Sequence, residues 1–416
     1  MTTTYPNSMR SETAIRPGLR QAAFVGLALT VAAVEFSIAI SEICFAFALV
    51  AWALSLATER RLPSAPPWML PLALYGGWTV VSALLSPEAA TSLTDSKQLV
   101  LLLLVPLTYE VVDEGSAVML TTIVLAAGAV SAVVGIGQYS ILHYDNVGQR
   151  PRSTLGLYMT FSGLMMLALN LALGRVLFMT RSRLWPTIVM PALAVVLPLS
   201  FTRSAWVGAC CAVALLLMMR DFRLTAALPV AAAIFFASAP ARVLQRFYSI
   251  FDLHDPTVRD RRAMVRAGVE IVRAHPIAGV GPNMVERVYP QYRDADAVLQ
   301  TTPHLHNVPL QIAAERGLPA LALWIWFVAA VVTGAVGLFR NARREGPVRF
   351  LSATALATIV AMLGAGMFEY NFGDSEFQIL FLVLITLPFA VARPRSAVVP
   401  YVHDCRGVRL QPDFSV

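Results

Sequence analysis

"HLHNVPLQIAAERGLPALALWIWFVAAVVTGAVGLF", residues 304–339, carries two messages in one stretch. Its second part, about 319–339, is apolar enough and long enough to cross a bilayer, which takes roughly 20 mostly apolar residues. Its first part holds two of the chain's six histidines, together with signals that open and close a short helix. Asn307 is suited to cap the N-terminus, Pro309 sits in the first turn where a missing N–H costs nothing, and Gly317 stops the helix. His306 therefore lies just ahead of a helix N-terminus. The positive end of the dipole there favours the neutral, proton-accepting imidazole, and the free N–H groups suit an anion.

The rest of the 416-residue chain extends the apolar theme: 57% of residues are hydrophobic, 14% are charged, and the mean hydropathy is +0.65. A soluble domain keeps a larger charged share. The fold class is all-α and polytopic in the membrane, with about 12 transmembrane helices expected at 19–35, 38–57, 68–86, 98–112, 117–138, 156–178, 184–200, 204–219, 223–239, 319–339, 350–370 and 376–392. A polar stretch at the start feeds one apolar run straight into another, which does not read as a cleavable signal peptide. Cys44, Cys210 and Cys211 lie in apolar runs and Cys405 in the tail, so the cysteines suggest neither disulfides nor a metal site.

The net charge of +7 is almost pure arginine, since Lys97 is the only lysine. Arginine suits bidentate capture of phosphate, although a genome rich in arginine codons would give the same count. With the N-terminus inside, Arg60, Arg61, Arg181, Arg183, Arg220, Arg223, Arg340, Arg343, Arg344, Arg349, Arg393 and Arg395 fall in cytoplasmic connections. The short outer loops hold only Lys97, Arg150, Arg152 and Arg203. This asymmetry orients the chain with both termini cytoplasmic. The expected organisation is a cytoplasmic segment 1–18, nine spans over 19–239, an extracytoplasmic loop 240–318, three spans over 319–392 and a cytoplasmic tail 393–416.

The loop is where chemistry is expected. It holds ten arginines, eight acidic residues and four of the six histidines. Within it, "RRAMVRAGVEIVRAHPIAGVG" predicts an amphipathic helix over about 258–274, stopped by Pro276, Gly279 and Gly281. Arg262, Arg266, Glu270 and Arg273 form a stripe that suits a solvated face. Arg261 shares a stripe with Val265, Gly268 and Val272, the face expected to pack inward, where a charge needs an anionic partner. In "SFTRSAW", Arg203 stands between two spans on the outer side, a functional position unless it only snorkels to headgroups. "EYNFGDSEF" adds Glu369, Asp374 and Glu376 in another short outer loop.

Together these stretches resemble the O-antigen ligase and polymerase superfamily. The resemblance rests on "HNVPLQIAAERGLPA", on "AHPIAGVGPN", on "FTRSAWVG", on "NFGDS", and on their order across residues 150–392. Ala320 stands where the family usually has a second glycine, and Val265 where a tryptophan often follows the loop arginine. The resemblance implies an inverting, metal-independent glycosyltransferase of the bacterial inner membrane, with no cofactor. Its donor would be a polyprenyl-diphosphate-linked glycan and its acceptor a glycan, a lipid core or a protein. The other partner is the lipid bilayer, and nucleic acid is not one. It assigns the donor diphosphate to Arg203 and Arg261, with Arg262 and His304 as further members, and the catalytic roles to His306 as base and Asp374 as support. The residues agree, because a diphosphate leaving group needs positive charge where negative charge develops, and an acceptor hydroxyl needs a base. The segment 282–303, with Tyr289 and Tyr292 for stacking on sugars beside Arg287, Arg293, Asp294 and Asp296, is the expected acceptor surface. A repeat-unit polymerase is the nearest alternative. A transporter is the more distant one, since its broken helices and midplane charges in two matching halves are not found here.

Overall fold

The structure is a computed structural model describing residues 8–394 apart from 253, 295 and 296, with the side chains of 8–17 left aside. Asp296, Arg395, Cys405 and the rest of the tail lie outside the described residues. Among those described the chain is helical without a strand. Seven helices are long and apolar enough to cross a membrane: Ile38–Glu59, Glu114–Ser140, Tyr158–Phe178, Arg203–Arg220, Val308–Asn341, Pro347–Gly366 and Ser375–Ala392. Shorter apolar helices, Gly18–Ala33, Met69–Leu85, Leu184–Leu199 and Phe222–Ser238, stand at the other expected spans except one. That one, 98–112, is a 3₁₀ stretch Ser96–Leu103 running into the short helix Leu104–Val111. Even so, its ends reach opposite poles of the bundle. Ser92, just before it, donates to Pro282 O in the large loop at 2.9 Å, and Glu110 at its far end accepts from Arg61 at 2.7 Å.

Tyr158–Phe178, Pro347–Gly366 and Ser375–Ala392 are the most enclosed spans and form the centre of the bundle. Small residues let them close on their neighbours. A Cβ at Gly208 would meet Ala361 O at 2.6 Å, and one at Gly364 would sit 3.3 Å from Gly208 Cα. Close backbone approach of this kind is how helices associate where lipid is as apolar as the side chains. It sets the start of Arg203–Arg220 beside the loop 367–374.

The large loop is folded. It contains the helices Ala241–Tyr248, Pro256–Ala274 and Val285–Tyr292, and its own apolar core of Met264, Ala267, Ile271, Val280, Met284, Val285, Tyr289 and Leu305. The expected helix over 258–274 is there, starting at Pro256 behind an Asp255 cap that accepts from Thr257 N and Val258 N. Its stripe of Arg262, Arg266, Glu270 and Arg273 is exposed as read. The inward face is displaced from the expected one: Asp260, Ala263, Met264, Ala267, Gly268 and Ile271 are buried, whereas Val265 is 43% exposed. Tyr289 is fully buried in the loop core, which removes it as a surface for sugars, and Tyr292 bonds to His275 at 3.3 Å.

The segment after Pro276 runs along the end of the helix that begins at Asn307. Leu318 N donates to Pro276 O (2.8 Å), Val280 N to Ala314 O (3.0 Å) and Gly281 N to Glu315 O (2.8 Å). Ser82, on the span Met69–Leu85, donates to Ala278 O and Glu315 O, and Trp78 Nε1 donates to Arg316 O. Gly317 breaks the helix at φ 78°, ψ 172°, so the chain bends there before entering the span. That conformation favours glycine, and a Cβ would also overlap the carbonyl of Ile277. Gly317→Ala should therefore lower stability by at least about 1–3 kcal/mol from backbone strain alone. Gly337→Ala, on the same helix with open space around it, should be neutral or stabilising. Thermal melting of the purified protein in detergent checks both, and equal melting points would contradict the role given to Gly317.

Candidate active site

The pole of the bundle beneath the large loop holds a cavity of about 470 Å³. Arg203, Arg261, Arg262 and His306 all line it, with Arg266, and the remaining wall is largely apolar, including Val207, Ile250, Val258, Met367 and Phe368. Four of the six candidate residues thus meet in one place, from the start of one span, from the loop helix and from the turn before another span.

Each is held by its local fold. Arg203 opens the helix Arg203–Arg220, with Nη1 donating to Ser249 Oγ at 2.9 Å and Nη2 3.9 Å from Asp255 Oδ1. Arg261 lies at the edge of the buried face of its helix, with Nη2 3.8 Å from Glu369 Oε2. Burial pushes its guanidinium below the ordinary value, against the pull of Glu369. Arg262 is exposed on the same rim. The Asn307 cap is as expected, its side chain accepting from Leu310 N at 2.9 Å. His306, just before it, sits at φ 51°, a left-handed conformation that non-glycine residues seldom adopt. Leu305 N donates to Gln311 Oε1 at 2.7 Å and helps hold the turn.

Glu369 is the residue the sequence did not single out. Its Oε1 lies 2.9 Å from His306 Nδ1, 3.2 Å from His304 Nε2 and 3.1 Å from Tyr370 N. Burial alone would raise this carboxyl; the hydrogen bonds and charges of the two imidazoles outweigh it and hold it well below the usual carboxylate range. An ionised carboxylate only accepts hydrogen bonds. Both ring nitrogens that face it therefore carry hydrogen and donate. In neutral His306 this leaves the lone pair on Nε2, the orientation a general base requires.

The other two candidates lie elsewhere. His304 is behind His306, ring centroids 4.3 Å apart, and does not line the cavity; its partner is Glu369. Asp374 is the N-cap of Ser375–Ala392, accepting from Phe377 N at 3.0 Å and from Thr160 Oγ1, and it too is absent from the cavity wall. Its short polar side chain at a span start is spent on capping, and Glu369, five residues earlier, faces the histidines instead.

Two further basic residues belong to this pole. Arg246, nine-tenths buried, has Nη1 3.9 Å from Asp255 Oδ2. Arg150 stacks over Tyr158 at 4.1 Å. Arg246 shared a helical face with apolar Val243, the one signal that could have revealed it. His304, His306 and Glu369 also present ligand atoms close enough together to hold a metal ion. Sequence spacing showed no such group, because Glu369 follows His306 by 63 residues. The neighbouring guanidinium of Arg261 opposes a cation there.

The geometry defines a polytopic helical membrane protein with an arginine- and histidine-lined cavity at one pole. Residues 188–325 match the family described as O-Antigen ligase, which agrees with the resemblance of the motifs. The match spans Arg203, Arg261, Arg262, His304 and His306 and stops short of Glu369 and Asp374. No curated protein matches the chain.

Because the Glu369 carboxyl is depressed in the folded protein, it contributes stability that is present above the ordinary value of about 4.3. That stability is lost as pH falls through the lower folded value. Wild type should lose melting temperature on acidification below about pH 4, and Glu369→Gln should show a flatter profile. Turnover of the variant in any reaction using His306 as base should fall by up to about 10⁴-fold, the scale when a carboxylate fixes the tautomer of a working base. Unchanged turnover together with an unchanged pH profile would deny Glu369 this role.

Proposed function

We propose that this protein is a glycosyltransferase of the bacterial inner membrane that moves a glycan from a polyprenyl diphosphate to an acceptor, by an inverting and metal-independent route. The observation that carries this reading is the convergence of Arg203, Arg261 and His306 on one partly apolar cavity. A lipid diphosphate brings aliphatic chain and negative charge together, and the cavity offers complements to both. In the proposed reaction an acceptor hydroxyl oxygen bonds to the anomeric carbon as the bond to the diphosphate breaks. The proton passes to His306 Nε2, and the diphosphate leaves against Arg203 and Arg261. Arg262, exposed on the rim, assists capture. Glu369 orients His306, His304 supports Glu369, and Asp374 acts at a distance as a helix cap.

Twelve crossings with both termini cytoplasmic remain the preferred topology. Contacts support the alternation: Glu345, in the connection before Pro347–Gly366, pairs with Arg183 and Arg220, and Arg393 donates to Tyr109 O at 2.9 Å. These connections share one pole, while the loops around the cavity share the other. Gln300→Cys, exposed in the large loop, in a background without Cys44, Cys210, Cys211 and Cys405, should react with an impermeant thiol reagent added from outside intact cells. Labelling only after permeabilisation would reverse the orientation.

Purified protein in lipid vesicles, supplied with polyprenyl-diphosphate oligosaccharide and an acceptor, should release polyprenyl diphosphate. Arg203→Ala and Arg261→Ala should each abolish release at near-normal protein levels, since each removes a charged contact worth at least about 1.5–3 kcal/mol. Lysine should rescue poorly. His306→Ala should cost about 10²-fold or more in turnover, and activity should persist in EDTA. Loss in EDTA restored by a divalent ion would overturn the metal-free route, and activity in Arg261→Ala with loss in Arg262→Ala would transfer the role to Arg262. Transfer to an acceptor that is not lipid-diphosphate-linked marks the ligase we favour; lengthening on the lipid diphosphate marks a polymerase.

A further inference from the structure

Beside the arginine cavity lies a second hollow of about 340 Å³, walled by Asn146, Gln245, Ser249, Arg246 and Asp255 among others. We propose that this hollow is the subsite for the sugar that adjoins the donor diphosphate. The inference rests on the transferase reading above and specifies how its donor lies.

The two spaces differ in chemistry. The larger one has arginines against largely apolar walls, which suits a lipid tail and a diphosphate. In the hollow the charges are matched internally: Arg242 pairs with Asp145, and Arg246 lies 3.9 Å from Asp255. What remains for a ligand is a set of amide, hydroxyl and paired ionic groups that both donate and accept, beside the apolar side chains of Val147 and Phe201, which suit the C–H face of a sugar ring. That is the chemistry of a hydroxyl-rich ligand and a poor match for a free anion. The volume lies in the range of small-molecule pockets, about 300–1,000 Å³.

The partition between them is thin and is made by one arginine and its partners. Arg203 lines the cavity and donates to Ser249 Oγ, which lines the hollow, while the next residue, Ile250, faces the cavity again. A diphosphate on Arg203 would therefore have aliphatic wall on one side and the polar hollow on the other. This is the order of groups along a polyprenyl-diphosphate sugar. Arg246 fixes the partition from behind, with Nε directed at Phe201 O at 3.5 Å and Nη1 toward Asp255. Occupation by the acceptor fits less well, because His306 lines the cavity and is not part of the hollow.

The test compares two probes on the purified full-length protein: polyprenyl diphosphate alone, and the polyprenyl-diphosphate-linked oligosaccharide used in the transfer assay. Gln245 is exposed, so its replacement should leave folding intact. Gln245→Ala should weaken binding of the saccharide-bearing lipid by about two- to tenfold, the value of one or two hydrogen bonds. Gln245→Trp, which fills the hollow, should weaken it more and raise the donor KM, with polyprenyl diphosphate binding and the acceptor KM unchanged. Equal effects on the two lipids, no effect on either, or an effect confined to the acceptor KM would overturn the subsite. If wild type binds neither lipid, the transferase reading itself fails, and this inference with it.

Discussion

The backbone pairing between residues 276–281 and the end of the helix at Gly317 sets the position of everything else at the outer pole. Three main-chain hydrogen bonds, Leu318 to Pro276, Val280 to Ala314 and Gly281 to Glu315, lock the large loop to the bundle. Ser82 fastens the same seam to the span Met69–Leu85. Upstream of the seam is the helix that carries Arg261, and ten residues before Gly317 is the Asn307 cap that follows His306. One junction therefore fixes the arginine and the imidazole relative to each other, although both lie in a loop that would otherwise swing freely. Gly279 and Gly317 are glycines because two backbones meet there at distances that leave no room for a side chain, and a Cβ at Gly281 would run into the side chains of Ser86 and Ser92.

Charge is the second constraint. Arg150, Arg203, Arg246 and Arg261 gather at one pole, and the carboxylates placed among them are Asp255 and Glu369. Both carboxylates have other duties, Asp255 as a helix cap and Glu369 as partner to two histidines, so the contacts to guanidinium are long, 3.8–3.9 Å. Strong ion pairs would neutralise the arginines and have to be broken by an incoming anion. At Arg203 and Arg261, which line the cavity, loose pairs keep the guanidinium ordered while leaving donors free. In the proposed reaction, an excess of positive charge against a partly apolar wall would also be where stabilisation of a departing diphosphate is greatest, because the medium screens it less than water does.

Much of this was legible in the sequence, and the failures have physical reasons. Helix signals that act locally were right: the Asn307 cap, the stop at Gly317 and the amphipathic helix ended by Pro276 each depend on neighbours within a turn or two. At 98–112 the apolar run was legible but its winding was not, because hydropathy reports burial and not backbone geometry, and this stretch is wound partly as a 3₁₀ helix. The inward face of the loop helix was displaced because Val265 faces the cavity, where an apolar side chain is exposed to the space a substrate would fill. The choice between Glu369 and Asp374 was beyond sequence reasoning: both are acidic, five residues apart, in the same short outer loop. Only the fold shows that one caps a helix and the other meets the histidines. Arg246 was missed since an arginine on a short helix looks like a solvated one until its surroundings are known.

The spacing from His306 and Asn307 to Gly317 also gains a physical meaning. The helix between Asn307 and Gly317 is a strut with one end at the cavity and the other at the seam with residues 276–281. At 1.5 Å per residue it spans about 15 Å. Its length decides how far His306 stands above the seam, and its winding decides which way His306 points. One residue more or fewer would turn His306 by about 100° around the strut axis and carry Nδ1 away from Glu369. The motif therefore combines a chemical group with a ruler. The imidazole can be recognised by its type, the capping and breaking residues by their local preferences, and the interval between them by the distance from the bundle to the cavity that the fold requires.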